Sequence, residues 1–190
     1  PEARAAMAVG IIDRALHAAG GLAADGNTDT DEHRALSLDD LPSGWSIAAR
    51  LPNARNHLGG AGIGALFFAV GGRHGWDEAG GNQATLSIFD TDGGTWSAGP
   101  DLALARSEIG GATFAVDSRL VVIGGSQNGV HPVDQVSVYD SSGGVWSSLP
   151  PLPSPRKGAV AARIGPRIVV TTGSPTSTDP DATTWVGCCL

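Results

Sequence analysis

One residue keeps time along this chain. Arg4, Arg55, Arg106 and Arg156 close the segments PEAR, PNAR, LALAR and PSPR, at intervals of 51, 51 and 50 residues. A tryptophan stands ten residues before each of the last three arginines, at Trp45, Trp96 and Trp146. A shared frame of this length means a repeated supersecondary unit. Such a unit cannot bury its apolar face alone and has to stack on its neighbours.

Two further marks run on the same clock. A large apolar residue precedes Asp at Leu38-Asp39, Phe89-Asp90 and Tyr139-Asp140, and paired glycines close an apolar run at Gly20-Gly21, Gly71-Gly72 and Gly124-Gly125. Thr172-Gly173 is the degenerate fourth pair. In the third unit, GGATFAVD and RLVVIGG are short β-branched runs, DQVSVYD alternates apolar with polar, and GVWSSL is a fourth short run. Each reads as a strand bounded by turn residues. The unit is therefore four short strands, and four-stranded units at this period describe propeller blades.

Residues 2–19, EARAAMAVGIIDRALHAA, would be helical on intrinsic propensity. The register of Arg4, Gly20-Gly21 and Trp45 overrides that preference, because propensity is weak against a tertiary frame shared with other units. Repeats are expected at about 5–55, 56–106, 107–156 and 157–190, the fourth supplying three strands (AVAARI, RIVVTT, TTWVGC) and lacking its outer one. An all-β open arc of about four blades, belonging to a longer chain, is expected ahead of a closed four-bladed ring or a side-by-side dimer.

An apolar run ending in Gly-Gly, an aromatic before Asp, a Trp on the fourth strand and Pro-x-x-Arg before the next unit together resemble the kelch repeat of β-propellers. The resemblance spans essentially the whole chain. It implies that strand a lies innermost and strand d outermost, and that Trp45, Trp96 and Trp146, with Phe89, Tyr139, Gly71, Gly72, Gly124 and Gly125, anchor the blades. In kelch-type adaptors the partner binds on the face of the d–a and b–c loops. Carried over, Arg4, Arg55, Arg106 and Arg156, flanked by Asn56, Ser107 and Lys157, would ring the channel mouth, where guanidinium forks suit acidic peptide groups.

The b–c loops vary in length and residue type while the strands hold register, which is where function sits on a fixed scaffold. They offer His74, Trp76 and His131 as contact candidates, Trp76 standing off the blade clock. The acidic run DGNTDTDE (25–32) lacks the spacing of a calcium loop and reads as a solvated loop, so no metal or cofactor is expected. A net charge of −7 gives no attraction to nucleic acid or an anionic membrane. The only cysteines, Cys188 and Cys189, are adjacent, with Gly187 where a prenylation box needs Cys, and they read as strand residues. Compartment stays open, with the cytoplasm favoured.

The expected function is a protein-interaction module of scaffold or substrate-adaptor type. The alternative is part of an enzyme on a kelch scaffold, such as a sialic-acid isomerase or a lyase-like factor. No catalytic set supports the alternative. Residues 90–96 share Gly-x-Thr-Trp with the sialidase Asp-box, but Phe89 and Thr91 stand where its Ser and Asp belong, and Tyr139 is the only tyrosine.

Overall fold

The computed structural model describes residues 2–75, 81–128 and 130–188. The repeated frame folds into sheets whose strands run in simple sequence order. The first contains β1 (Ala8–Ile12), β2 (Ala15–Ala19), β3 (His33–Ser37) and β4 (Trp45–Ile47), and the second β5 (Gly59–Ile63), β6 (Leu66–Val70), β7 (Leu86–Asp90) and β8 (Thr95–Ala98). The third blade opens with β9 (Thr113–Val116) and β10 (Arg119–Ile123). After a short hairpin of β11 (Ser126–Gln127) with β12 (His131–Pro132), it closes with β13 (Val136–Asp140) and β14 (Val145–Leu149). β15 (Val160–Ile164), β16 (Arg167–Thr171) and β17 (Thr184–Cys188) form a fourth, three-stranded sheet. Every pairing in these sheets is antiparallel.

The helix-prone opening segment is thus a β-hairpin. Its two-residue turn, Asp13-Arg14, takes positive φ at both residues (42° and 62°), as a hairpin turn matched to strand twist requires. The c–d turns of the second and third blades explain the Asp that follows the aromatic. The Asp90 and Asp140 side chains accept from the backbone N–H of Asp92 (3.0 Å) and Ser142 (2.9 Å), and their carbonyls accept from Gly94 and Gly144 (2.8 Å each).

The first blade departs from the sequence register. Leu36, not Leu38, pairs with Leu16 and Trp45, as Phe89 pairs with Phe67 and Trp96. A longer c–d connection holding a 3-10 turn at Leu41–Ser43 absorbs the difference, and Asp39 instead binds Arg14 at 2.5 Å. The regular spacing of Leu38-Asp39 was a coincidence of compensating loop lengths.

Blades stack in order, β5 on β1, β9 on β5 and β15 on β9, with no comparable seam between the fourth sheet and the first among the described residues. The arc is open. Each seam is an apolar layer, exemplified by Phe67 with Ala8 and Ile12, Phe68 with Leu120 and Tyr139, and Val121 with Ala161 and Val170.

The glycine pairs belong to these seams. Gly71 and Gly124 have φ of 59° and 60°, and a Cβ on them would lie 2.6 and 2.3 Å from the Arg106 and Arg156 carbonyl oxygens of the following blade. The second glycine then donates to that carbonyl, Gly72 to Arg106 at 3.0 Å and Gly125 to Arg156 at 2.7 Å. At the fourth position, where none of the described residues forms a following blade, the chain carries Thr172 with φ 61°.

Candidate functional site

The d–a crossings and b–c loops meet on one end of the arc, and their backbone repeats with the blades. The residue after each arginine (Ala5, Asn56, Ser107, Lys157) bridges the residue after each diglycine position (Leu22, Arg73, Ser126, Ser174). The next residue (Ala6, His57, Glu108, Gly158) takes a left-handed φ of 52–60°. His57 N–H donates to Ala6, Glu108 N–H to His57 (both 2.9 Å) and Gly158 N–H to Glu108 (3.0 Å), one link per seam. Four different side-chain positions are thereby mounted on one constant backbone step around a cavity of about 350 Å³. Its lining includes Met7, His57, Leu58, Glu108 and Ala159.

The side chains around this mouth form a connected polar network. Glu108 lies 3.6 Å from both Arg73 Nη1 and Lys157 Nζ, so one carboxylate is shared by two cations at more than hydrogen-bond length. Arg73 Nε donates to Asn56 Oδ1 (3.3 Å), which also accepts from His57 Nδ1. The Asn56 amide reaches the Asp29 carboxylate and the Gly75 carbonyl (3.2 Å), and Asp29 accepts from Gly75 N–H at 2.8 Å with His74 Nδ1 3.6 Å away. Burial, then the Arg73 charge, pull the His57 pKa down to about 4 against the opposing pull of Asp29. His57 is therefore a neutral hydrogen-bonding group at physiological pH.

The arginines themselves do not ring the mouth with free guanidinium groups. Arg55, Arg106 and Arg156 are among the largest fully buried side chains, and each binds the blade it leads into. Arg55 donates to the carbonyls of Gly71 (2.8 Å) and Ala69 (3.0 Å) and to Ser87 Oγ (3.2 Å), and Arg106 to Val122 (3.2 Å) and Ser137 Oγ (2.8 Å). Desolvation lowers both to about 10, which leaves them charged at neutral pH. In the fourth blade Trp185 stands in the Ser87/Ser137 place, and Arg156 lies 4.4 Å over its ring while binding Asp181. Arg4 is nearly buried and donates to Gly20 (3.1 Å) and Glu32 (2.8 Å) carbonyls. The expectation of a partner-facing arginine ring gives way to a lattice of buried guanidiniums, because a planar five-donor group satisfies the carbonyls at the end of strand b.

The remaining candidates divide. Asn56, Lys157 and His74 join the mouth network, and Ser107 lies beside it with its hydroxyl 3.4 Å from Asn82 and from Ser126. His131 is exposed on β12, and Trp76 lies outside the described residues. Asp25 spends its carboxylate on Thr28 Oγ1 and the N–H groups of Asn27 and Thr28, which hold its pKa down at about 2. That carboxylate shapes its own loop.

His57, Arg73 and Glu108 were not singled out from the sequence. Aligning units by their arginines would have found His57 and Glu108, since the position two residues on holds Ala, His, Glu and Gly in an otherwise steady frame.

The sequence model of the kelch motif matches residues 110–153. That span is the third blade; the first two sheets repeat its four-strand order, and the fourth repeats its first three strands. The chain is a kelch-repeat propeller. Two of the other units depart from the motif at the aromatic position. Leu36 replaces the aromatic in the first kelch unit, and Gly187 replaces it in the fourth, opposite Ile168 where the third pairs Leu120 with Tyr139. The kelch tryptophans sit at the seams: the indole N–H of Trp96 donates to Ala49 (2.8 Å) and that of Trp146 to Pro100 (2.7 Å), each a carbonyl of the preceding blade. Among the described residues, no helix is long and apolar enough to cross a membrane.

Proposed function

We infer that this kelch propeller is a protein-interaction module whose contact face is the end built by the d–a crossings and b–c loops. The carrying observation is the mouth cavity, where the side chains of Ala6, His57, Glu108 and Gly158 vary on an invariant, internally hydrogen-bonded backbone step. A rigid frame with interchangeable side chains is how a scaffold acquires specificity.

The chemistry at the mouth suits an acidic side chain of the partner. Glu108 stands 3.6 Å from two cations and bonds closely to neither, so an incoming carboxylate could take its place and make shorter, charge-assisted bonds to Arg73 and Lys157. His57, being neutral, adds no repulsion to a cation and no charge to compete for.

The test compares faces. Binding of a fluorescein-labelled glutamate-rich peptide is measured with wild-type chain, Lys157→Glu and Glu108→Gln at the mouth, and Arg119→Glu beside the a–b turn at the opposite end. The expected order is Glu108→Gln tighter than wild type, Lys157→Glu weaker, and Arg119→Glu unchanged. An effect of Arg119→Glu as large as that of Lys157→Glu would show that net charge, not the mouth, governs binding, and would sink the reading.

A further inference from the structure

Two departures from the repeat meet at the seam between the third and fourth blades. In the first two seams a b–c loop side chain holds the residue that follows the arginine. Asp29 accepts from the Asn56 amide, and Asn82 accepts from the Ser107 hydroxyl at 3.4 Å. Asp29 and Asn82 occupy the same bridge position, opposite Leu22 and Arg73. In the third seam that position, opposite Ser126, is Pro132, whose ring offers no hydrogen bond. Lys157, the successor of Asn56 and Ser107, lies 3.6 Å from Glu108 instead. With Arg73 on the other side of Glu108, two cations and one carboxylate leave one net positive charge there.

The second departure is an insertion. Thr113 pairs with Val122 as Gly60 pairs with Ala69, yet it stands five residues past Glu108, where Gly60 is three past His57. The two extra residues are taken up in the 3-10 turn Gly110–Ala112, whose glycines are exposed and line the mouth cavity. A Cβ on Gly111 would lie 2.7 Å from the Ala159 carbonyl oxygen, so the turn passes the fourth blade only because it is bare. Gly158, which follows Lys157, continues this wall, and Met7 and Leu58 add apolar side chains to the cavity. A net cation thus adjoins a space of about 350 Å³ whose lining is largely apolar or without side chains.

We propose that this seam reads an acidic residue together with a large apolar one two positions away, in an extended segment of the partner. The inference rests on the acidic-partner reading of the face and adds a second requirement to it. Alternate side chains of an extended segment share one side, so a carboxylate and its second neighbour reach the face together. The carboxylate goes to Lys157, and the apolar side chain fills the cavity against Met7, Leu58 and the inserted turn. Charge makes the first contact, and burial of the apolar group supplies the selectivity.

Two fluorescein-labelled peptides of equal charge serve as probes, one repeating Glu-Gly-Leu-Gly and the other Glu-Gly-Ala-Gly. Anisotropy titration with the whole chain is expected to show the leucine peptide bound at least about tenfold more tightly. Lys157→Gln should weaken both peptides and keep their ratio. Gly110→Leu should erase the ratio, because a Cβ there meets only the Leu58 carbonyl oxygen within 4 Å, at 3.3 Å, and the added side chain occupies the cavity. Equal binding of the two peptides to the wild-type chain, or a preference that survives Gly110→Leu, would overturn this inference and leave the acidic-partner reading standing. Binding of neither peptide would overturn both. The wild-type comparison needs no altered protein, so the test holds even where Gly110→Leu fails to fold.

Discussion

Lowering the pH from about 7.5 to about 5 should loosen the seam between the first two blades. His17 and His33 are buried side by side there, His17 Nδ1 3.0 Å from His33 Nε2, against the rings of Phe67, Phe89 and Trp96. His33 Nδ1 lies 3.2 Å from the Ala49 carbonyl, so it donates, and its Nε2 accepts from His17. Nε2 is the one nitrogen of His33 without a proton, and taking one up removes the acceptor that His17 uses. Burial is the first cause of its lowered pKa, from 6.5 to about 4, with the His17 and Arg4 charges adding and the Ala49 bond opposing. His17 is lowered as well, by burial.

The sign follows from linkage. A depressed folded-state pKa means that the unfolded chain takes up the proton first, so stability present above about pH 6.5 is lost as pH falls towards about 4. The full shift of His33 corresponds to roughly 3 kcal/mol, of which about 2 kcal/mol is gone by pH 5. His57 titrates in the same window, so the decisive quantity is a difference between chains. Urea denaturation followed by tryptophan fluorescence would be compared for wild type and the His17→Leu/His33→Phe double variant at both pH values. The double variant should lose about 2 kcal/mol less than wild type on acidification. Parallel losses in the two chains would refute the reasoning.

Two structural substitutions test the seams. Arg106→Met should cost several kcal/mol, roughly 3, because it strips donors from the buried Val122 carbonyl and Ser137 hydroxyl; a urea midpoint within error of wild type would return the arginine to a surface role. Gly124→Ala should cost at least about 2 kcal/mol, since its Cβ would meet the Arg156 carbonyl at 2.3 Å from a left-handed backbone, whereas Thr172→Ala should be near neutral; thermal melts of the pair should diverge accordingly.

Much of the architecture was legible because a repeat makes the sequence its own alignment. Arg, Trp and Gly-Gly recur for reasons that act at every seam, so their spacing reports the blade even where propensity points to a helix, as in residues 2–19. Leu38-Asp39 misled for the same reason, since a loop lengthened on one side of β3 and shortened on the other leaves the period intact. The site was harder to see. Glu108 and Arg73 are distant in sequence and belong to adjacent blades, and only stacking brings their charges within 3.6 Å.

By itself the sequence determined the blade: strand alternation, turn residues and the 51-residue beat are local or periodic properties, written in single residues. Tertiary structure alone decided the direction of each arginine. A guanidinium near a loop can point to solvent or turn into its own blade. The choice rests on which carbonyls at the end of strand b would otherwise be buried without a donor, and that accounting exists only once the blades have stacked.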